Sequence, residues 1–285
     1  MLKEEWASLL NSILSNQYSL YIVLMIITAF PVGFFAGLFG IGGGLITVPF
    51  LFFIFEALGV NQNYLMHLAV GTSFSIIIPT SMVSVYTHNK HKSVDPNIVK
   101  TYGLFVIIGV LLGTTFAAVM KTKFLVIFFT IVVFFLGTYL LLNSNQQSIS
   151  KKKFKIHFRI LFGLISGFIS APMGIGGAVM NVPILKYFGY PIKKAIGSAA
   201  TIGFIIAVCG AVGFWYSGLV LNANLPLSIG FINLPAFLIF IPITMFMAKV
   251  GANSAHKIEK SKLQMFFGIF LYVVGTIFVF RYSSL

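Results

Sequence analysis

The sequence predicts an all-α polytopic membrane protein made of two inverted structural repeats. Each repeat is expected to hold a Gly-broken pair of short helices followed by three transmembrane helices, which gives about eight to ten membrane segments at ~20 residues per full crossing. Three observations lead to this prediction. The composition suits a chain surrounded by lipid, one Gly-rich segment occurs twice, and the basic residues fall mostly on one side of the predicted topology.

The composition excludes a single soluble globule. Of 285 residues, 58% are hydrophobic and only 8% are charged, so much of the apolar surface must face lipid. Seven runs contain no Asp, Glu, Lys or Arg, and each has about the ~20 residues that a helix needs to cross the hydrocarbon core. These runs are Leu20–Phe39, Leu65–Tyr86, Tyr102–Met120, Phe124–Leu142, Ala195–Tyr216, Leu227–Met247 and Leu263–Phe280.

A Gly-rich segment is duplicated. Gly33–Leu51 (GFFAGLFGIGGGLITVPFL) returns as Gly167–Leu185 (GFISAPMGIGGAVMNVPIL), with nine of nineteen positions identical. In both copies the Gly cluster interrupts an apolar run and is followed by Val-Pro. The duplication predicts a first repeat over residues 1–145, a cytoplasmic linker over 146–157 and a second repeat over 158–285.

Charge counting predicts how the two legs around each Gly turn run. If the legs return to the side on which they started, 15 of the 19 basic residues share one side; if they form one broken crossing, the split is ten to nine. The positive-inside rule favours the returning pair. The 15 comprise Lys90, Lys92, Lys100, Lys151, Lys152, Lys153, Lys155, Arg159, Lys186, Lys193, Lys194, Lys249, Lys257, Lys260 and Lys262.

An odd number of crossings per half then makes the halves inverted relative to each other. Loops 88–100, 143–159, 186–194 and 249–262 are predicted to be cytoplasmic, and both termini to lie outside the cell membrane. The first Gly turn is reached from outside and the second from inside. Charge counting leaves open whether the legs are re-entrant or cross fully.

The Gly turns are candidate anion sites. A turn that starts a half-helix at membrane depth directs N–H groups and a positive dipole end into a cavity, which favours an anion. The alternative is that the glycines only let helices pack closely. Duplication of the whole turn favours a site, and no strand or Lys-Ser/Thr supports a nucleotide loop. The predicted substrate-binding glycines are Gly40, Gly42, Gly43, Gly44, Gly174, Gly176 and Gly177.

Polar side chains near the turns are further candidates. The segment Ala69–Ser73 (AVGTS) is matched by Ala195–Ala199 (AIGSA), which makes the hydroxyls of Thr72, Ser73 and Ser198 candidate donors to the same anion. The alternative is that each hydroxyl bonds to a carbonyl of its own helix. Asn181, at the place of Thr47 in the first copy, is a weaker candidate.

Several function classes are excluded or disfavoured. No carboxylate lies in the middle of an apolar run, so the usual intramembrane proton relay is missing, and His67 is expected to be an interfacial polar residue. The lone Cys209 offers neither a disulfide nor a metal cluster. The loops have no room for a nucleotide-binding or catalytic domain. We therefore expect no cofactor, no metal, no enzymatic activity and no nucleic-acid partner, despite the net charge of +14.

These motifs resemble the sulfite exporter TauE/SafE family of transporters. The resemblance rests on Gly33–Pro49, Ala69–Ser73, Gly167–Pro183 and Ala195–Ser198 and covers nearly the whole chain. It implies a carrier of the cytoplasmic membrane for sulfite, organosulfonates or other small organic anions, without ATP hydrolysis. The second copy departs from the motif, with Ala178 for the third successive Gly and Ala199 for Ser73, which predicts fewer polar contacts from that half.

The sequence thus favours a secondary transporter that moves a small anion, sulfite or an organosulfonate first, by alternating access between inverted repeats. The alternatives are a passive anion channel and a carrier of another small organic acid. The expected partners are the anion and the lipid bilayer, with proton or sodium coupling left open. A membrane enzyme has little support, and a purely structural role leaves the duplicated turn unexplained.

Overall fold

The computed structural model describes residues 16–39, 42–142, 154–254 and 260–282, and over these ranges the chain is almost entirely helical. Seven helical segments are long and apolar enough to cross a membrane. The predicted all-α polytopic fold is confirmed. The helices are α1 Asn16–Phe39, α2 Gly44–Ala57, α3 Leu65–Lys90, α4 Pro96–Thr101, α5 Gly103–Val119, α6 Thr122–Leu142, α7 Ile156–Met173, α8 Ala178–Tyr187, α9 Ile192–Val220, α10 Leu234–Ser254 and α11 Lys260–Tyr282.

The two legs around each Gly turn form a hairpin. At its open end the hydroxyl of Tyr21 in α1 donates to the carbonyl oxygen of Ala57, the last residue of α2, at 2.7 Å. In the second half the rings of Phe154, just before α7, and Phe188, just after α8, stack with centroids 4.2 Å apart. Each short leg therefore ends beside the start of the long one, as the returning-pair prediction requires.

The short legs differ in reach. Helix α2 has 14 residues and α8 has 10, so they extend about 21 Å and about 15 Å at the α-helical rise. The hydrocarbon core is about 30 Å thick. Neither short leg is long enough to cross it, so both hairpins have the length expected of re-entrant hairpins.

The core lies between α3 and α9, which pack against each other. In the most apolar stretch of α3 67% of the residues are buried, and in that of α9 61%, against 28–44% in the other long apolar helices. Around this core, helices of one half pack against helices of the other. Helix α1 of the first half packs on α10 of the second, and α7 of the second half packs on α5 of the first. Large apolar side chains such as Phe135, Phe246 and Phe280 are exposed on the outer faces, where lipid would cover them.

The run Leu227–Met247 does not begin as a helix. Residues Ser228–Ile229 and Ile232–Asn233 form a two-residue antiparallel strand pair, and α10 starts only at Leu234. Leu227 and Gly230 adopt positive φ, and the side chain of Asn233 accepts a hydrogen bond from the N–H of Ala236. Turn geometry and this cap fix the start of the helix, and apolar composition alone does not reveal them.

Two basic residues link neighbouring helices near their ends. Arg281 of α11 forms an ion pair with Glu56 of α2 at 2.8 Å, at the end where both termini are predicted. At the opposite end Arg159 of α7 donates to the hydroxyl of Thr101 in α4 at 2.6 Å. The assignment of the loops to the two sides stays a prediction.

Candidate functional site

Both short helices begin at a glycine in the left-handed conformation. Gly43 precedes α2 with φ +80°, and Gly177 precedes α8 with φ +69°. Gly42 and Gly174 also have positive φ, which side chains with a Cβ rarely adopt, so these positions need Gly. No side chain caps the start of either helix. The N–H groups and the positive dipole end of each helix therefore face the turn itself.

The two Gly turns touch each other. A Cβ on Gly44 would overlap the carbonyl oxygen of Gly174 and would lie 2.8 Å from Cα of Ile175. Gly174 in turn packs against Val48 of α2 and Val70 of α3. Two loops that lie 130 residues apart in sequence thus share one buried spot, and only a residue without a side chain fits there.

Each Gly turn also contacts one of the two core helices, at positions that correspond between the two halves. A Cβ on Gly42 would lie 2.8 Å from Cγ2 of Ile77 in α3. In the second half a Cβ on Gly203 of α9, the counterpart of Ile77, would overlap the carbonyl oxygen of Gly176. The contact between turn and core helix is closer in the second half, where the backbones meet directly.

Ser73 links the halves at the turns. Its hydroxyl is fully buried and donates to the carbonyl oxygen of Gly174 at 3.0 Å. The counterpart in the second half is Ala199, which cannot make such a bond. Among the predicted hydroxyl residues, Ser73 is therefore the one that the structure brings into direct contact with a Gly turn.

Thr72 and Ser198 occupy equivalent positions with equivalent bonds. Thr72 Oγ1 accepts from the backbone N–H of Asn233 at 2.9 Å, and Ser198 Oγ accepts from that of Asp95, also at 2.9 Å. Asn233 is the cap residue of α10, and Asp95 is that of α4. Each hydroxyl thus bonds to the residue that caps a helix of the other half. The sequence suggested only a bond to the anion or to a carbonyl of the same helix.

Asn181 lies at the centre of a buried polar cluster on the second hairpin. Its Oδ1 accepts from the hydroxyls of Tyr102 and Ser166, each at 2.7 Å. Its Nδ2 has no hydrogen-bond partner, and neither has Oγ of Ser170, although both residues are fully buried. A Cβ on Gly177 would lie 3.1 Å from that Nδ2 and 3.3 Å from that Oγ. Two unused polar groups thus flank the second turn.

The first hairpin lacks this cluster. Val32 and Ala36 stand where the second half has Ser166 and Ser170, and the hydroxyl of Thr47, the counterpart of Asn181, donates back to the carbonyl of Gly43 at 3.0 Å. The second hairpin thus carries more polar side chains at these positions than the first, and the expectation of fewer anion contacts from that half stays a prediction. Alignment of the two copies at their offset of 134 would have revealed Ser166 and Ser170, because they replace apolar residues on the long leg.

Gly40, His67 and possible metal ligands remain to be placed. Gly40 lies outside the described residues. His67 is buried within the protein: its Nε2 lies 3.0 Å from the carbonyl oxygen of Ala117, and its ring packs at 5.0 Å from that of Phe231. Tertiary packing of the segment before α10 covers it. Among the described residues, no group of three or more His, Cys, Asp or Glu is placed to hold a metal ion.

Comparisons with known proteins agree with this architecture. A family model described as sulfite exporter TauE/SafE matches residues 25–278. A probable membrane transporter protein of Haemophilus influenzae is 32% identical over 256 residues, which cover 90% of this chain and 97% of the relative. Similarly named proteins of Methanocaldococcus jannaschii and Bacillus subtilis are 29% and 24% identical, over 92% and 89% of this chain and 97% and 95% of theirs. No solved structure matches the chain.

Proposed function

The chain belongs to the sulfite exporter TauE/SafE family of membrane transporters, and from this premise we propose that it is a secondary transporter of a small anion. Sulfite or an organosulfonate is the first choice of substrate. Transport proceeds by alternating access between two inverted repeats, residues 1–145 and 158–285, joined by the linker 146–157. The protein performs no enzymatic step and binds no cofactor.

The contact of Gly44 with Gly174 is the observation that carries this proposal. It brings the start of α2 against Gly174 and Ile175 of the turn that leads into α8, and neither α2 nor α8 has a side-chain cap at its start. Free N–H groups and positive dipole ends stabilise a negative charge, and in an apolar interior that stabilisation is weakly screened. A small oxyanion is the ligand that such a place suits without a buried Lys or Arg.

The exchange of contacts between the halves supports alternating access. The bonds Thr72 to Asn233 and Ser198 to Asp95 lie at opposite ends of the core pair α3 and α9, and each joins one half to the other. A carrier needs two such contacts: one breaks when the site opens to the outside, and the other breaks when it opens to the inside. An inverted relation of the halves would make them equivalent gates.

The proposed site comprises the two Gly turns and the polar side chains beside them. Ser73 and Asn181 contact the Gly turns in this conformation. Thr72 and Ser198 stay predicted contacts of the anion; in this conformation their hydroxyl oxygens accept hydrogen bonds from backbone N–H groups. The candidate residues are Gly40, Gly42, Gly43, Gly44, Thr72, Ser73, Gly174, Gly176, Gly177, Asn181 and Ser198.

The protein is proposed to lie in the cytoplasmic membrane with loops 88–100, 143–159, 186–194 and 249–262 on the cytoplasmic side and both termini outside. The charge count supports this orientation. A proton or a sodium ion is the coupling ion to test.

A passive anion channel is disfavoured by the packing at the turns. Backbone meets backbone where Gly44 contacts Gly174, so the turns are closely packed at this point. A channel would need that contact to open for long periods. A carrier needs it to open on only one side at a time.

The test is uptake of radiolabelled sulfite into proteoliposomes that contain the purified protein, at several pH and sodium gradients, with protein-free liposomes as the control. We expect flux that saturates, that exchanges with sulfite trapped inside, and that organosulfonates inhibit more than simple carboxylates do. Flux that never saturates and shows no exchange would replace the carrier with a channel. Folded protein without sulfite or sulfonate flux would reject the substrate class.

A further inference from the structure

The buried cluster on the second hairpin has two unused hydrogen-bond donors. We infer that Ser170 Oγ and Asn181 Nδ2, beside Gly177, bind the oxygens of a singly charged oxyanion, and that Tyr102 and Ser166 are positioning residues that orient Asn181 for this contact. This inference rests on the proposed anion transport. It adds Ser170 and the orientation of Asn181 to that site, and it adds that the site selects a monoanion over a dianion.

The unpartnered atoms point to a ligand because such atoms are costly in a folded protein. A buried donor without an acceptor forfeits the hydrogen bonds that it made to water, and native proteins rarely tolerate it without a reason. Here two of them lie within 3.3 Å of one point, the Cβ position of Gly177. Both atoms therefore border the same side of Gly177, next to the uncapped start of α8, and two oxygens of one oxyanion could each reach one of them.

The amide of Asn181 is held in a defined orientation. Tyr102 and Ser166 both donate to its Oδ1, so the amide nitrogen is forced to the opposite edge, toward Gly177. In this assignment Oδ1 faces the two hydroxyls and Nδ2 faces Gly177. The two hydroxyls thereby give the ligand a donor rather than an acceptor.

An apolar cover lies over the cluster. The Cδ1 methyl of Ile206 in α9 occupies the place into which a Cβ of Gly177 would project. It is the far end of a flexible side chain, so rotation about its terminal bond can vacate the place. An arriving anion would therefore have to displace this methyl group.

The charge of the surroundings limits the ligand to one negative charge. The adjoining segments Tyr102–Met120 and Ala195–Tyr216 contain no charged residue, and the basic residue of α8, Lys186, lies five residues after Asn181, about 7.5 Å along the helix. The basic residue of α7, Arg159, lies seven residues before Ser166, about 10 Å along the helix, and donates to Phe154 and Thr101. Burial of charge costs energy roughly as its square, so neutral donors that suffice for a monoanion fail for a dianion. Hydrogen sulfite and sulfonates fit, whereas doubly charged sulfite and sulfate do not.

The test measures binding directly, so it is independent of flux. The unfolding midpoint of the purified protein in detergent is followed as methanesulfonate, a permanent monoanion, or sulfate is added at equal ionic strength. We expect a saturable rise with methanesulfonate and none with sulfate. Hydrogen sulfite should stabilise the protein more below neutral pH, where the monoanion dominates, than above it.

Ser170→Ala is the decisive variant. The matching residue of the first half is Ala36, so the smaller side chain is compatible with this fold. We expect the midpoint without anion to stay the same or rise, because an unsatisfied buried hydroxyl is removed, while the dissociation constant for methanesulfonate rises roughly ten- to hundredfold. Tyr102→Phe, which frees the amide, should weaken binding severalfold, and Ile206→Val, which removes the covering methyl, should strengthen it.

Ser81→Ala is the matched control, since its buried hydroxyl donates to the carbonyl of Ile78 in its own helix. It should bind methanesulfonate like the wild type. Unchanged binding in Ser170→Ala, equal stabilisation by sulfate, or no stabilisation of the wild type by any monoanion would overturn the inference. If proteoliposomes show saturable sulfite flux but Ser170→Ala binds normally, only this inference fails. If anion binding depends on Ser170 but no flux occurs, transport is what fails.

Discussion

The hydroxyl of Ser73 donates to the carbonyl oxygen of Gly174 at 3.0 Å, and this bond joins the core helix of the first half to the Gly turn of the second. Both residues are buried, and the backbone of Gly44 packs against the same carbonyl. The carbonyl of Gly174 is thus held from two directions by the other half. The place where the two repeats meet is also the proposed anion site.

Gly44→Ala should damage this meeting point. The new Cβ would overlap the Gly174 carbonyl oxygen, and since both sides are backbone, neither can move aside cheaply. We expect a loss of about 1–3 kcal/mol in the free energy of unfolding, the usual cost of overpacking, together with reduced sulfite flux. Thermal unfolding in detergent and proteoliposome uptake measure the two effects.

Gly103→Ala is the control for that variant. Its nearest neighbour would be Cγ1 of Ile202 at 3.9 Å, an ordinary contact, and α5 begins at this residue. Alanine should therefore be neutral or stabilise slightly, because it has the higher helix propensity. Equal behaviour of the two variants would show that the turns do not depend on close packing.

Ser73→Ala should weaken the link between the halves without a clash. Loss of the bond to Gly174 is expected to cost about 1 kcal/mol, the typical net value for one buried hydrogen bond. Ser75→Ala removes a hydroxyl that donates to the carbonyl of Gly71 in its own helix and should change stability less. A double-mutant cycle of Ser73→Ala with Gly44→Ala should reveal coupling, since both residues act on the same carbonyl, and strict additivity would argue against a shared contact.

Thr72→Val and Ser198→Ala should each lower stability by about 1–3 kcal/mol, because each leaves the N–H of a helix-capping residue without its acceptor. The two effects should add, since the bonds lie at opposite ends of the core pair. Unfolding midpoints and the sulfite KM would be measured for both. Thr115→Val, which alters an exposed hydroxyl bonded within its own helix, is the control. A large rise in KM with unchanged stability would instead assign the two hydroxyls to the anion.

The orientation can be tested with a membrane-impermeant maleimide. In a Cys209→Ala background, which removes the single native thiol, cysteine would be introduced by Lys92→Cys or Lys121→Cys at exposed positions on opposite ends of the fold. In intact cells we expect labelling of the Lys121→Cys protein at once and of the Lys92→Cys protein only after permeabilisation. The reverse pattern would invert the proposed topology.

Prediction from the sequence worked where the signal was long or repeated. Apolar runs of about twenty residues predicted the long helices, because lipid accepts little else, and the charge count predicted that α1 and α2 return to one end. The exception was Leu227–Met247, where Gly230 and Asn233 shape a strand pair before α10. A local turn overrides composition, and hydropathy does not detect it.

The sequence by itself determined that this chain is a membrane protein, that its Gly turn is duplicated, and that it resembles one transporter family, since each of these follows from composition or repetition along the chain. Only the tertiary structure decided that the turns touch, that Thr72 and Ser198 hold helices of the other half, and that Asn181 and Ser170 have unused donors. Those facts depend on which groups meet across more than a hundred residues. A hydrogen bond is set by the distance and angle between two groups in space, and neither is written in the order of the residues.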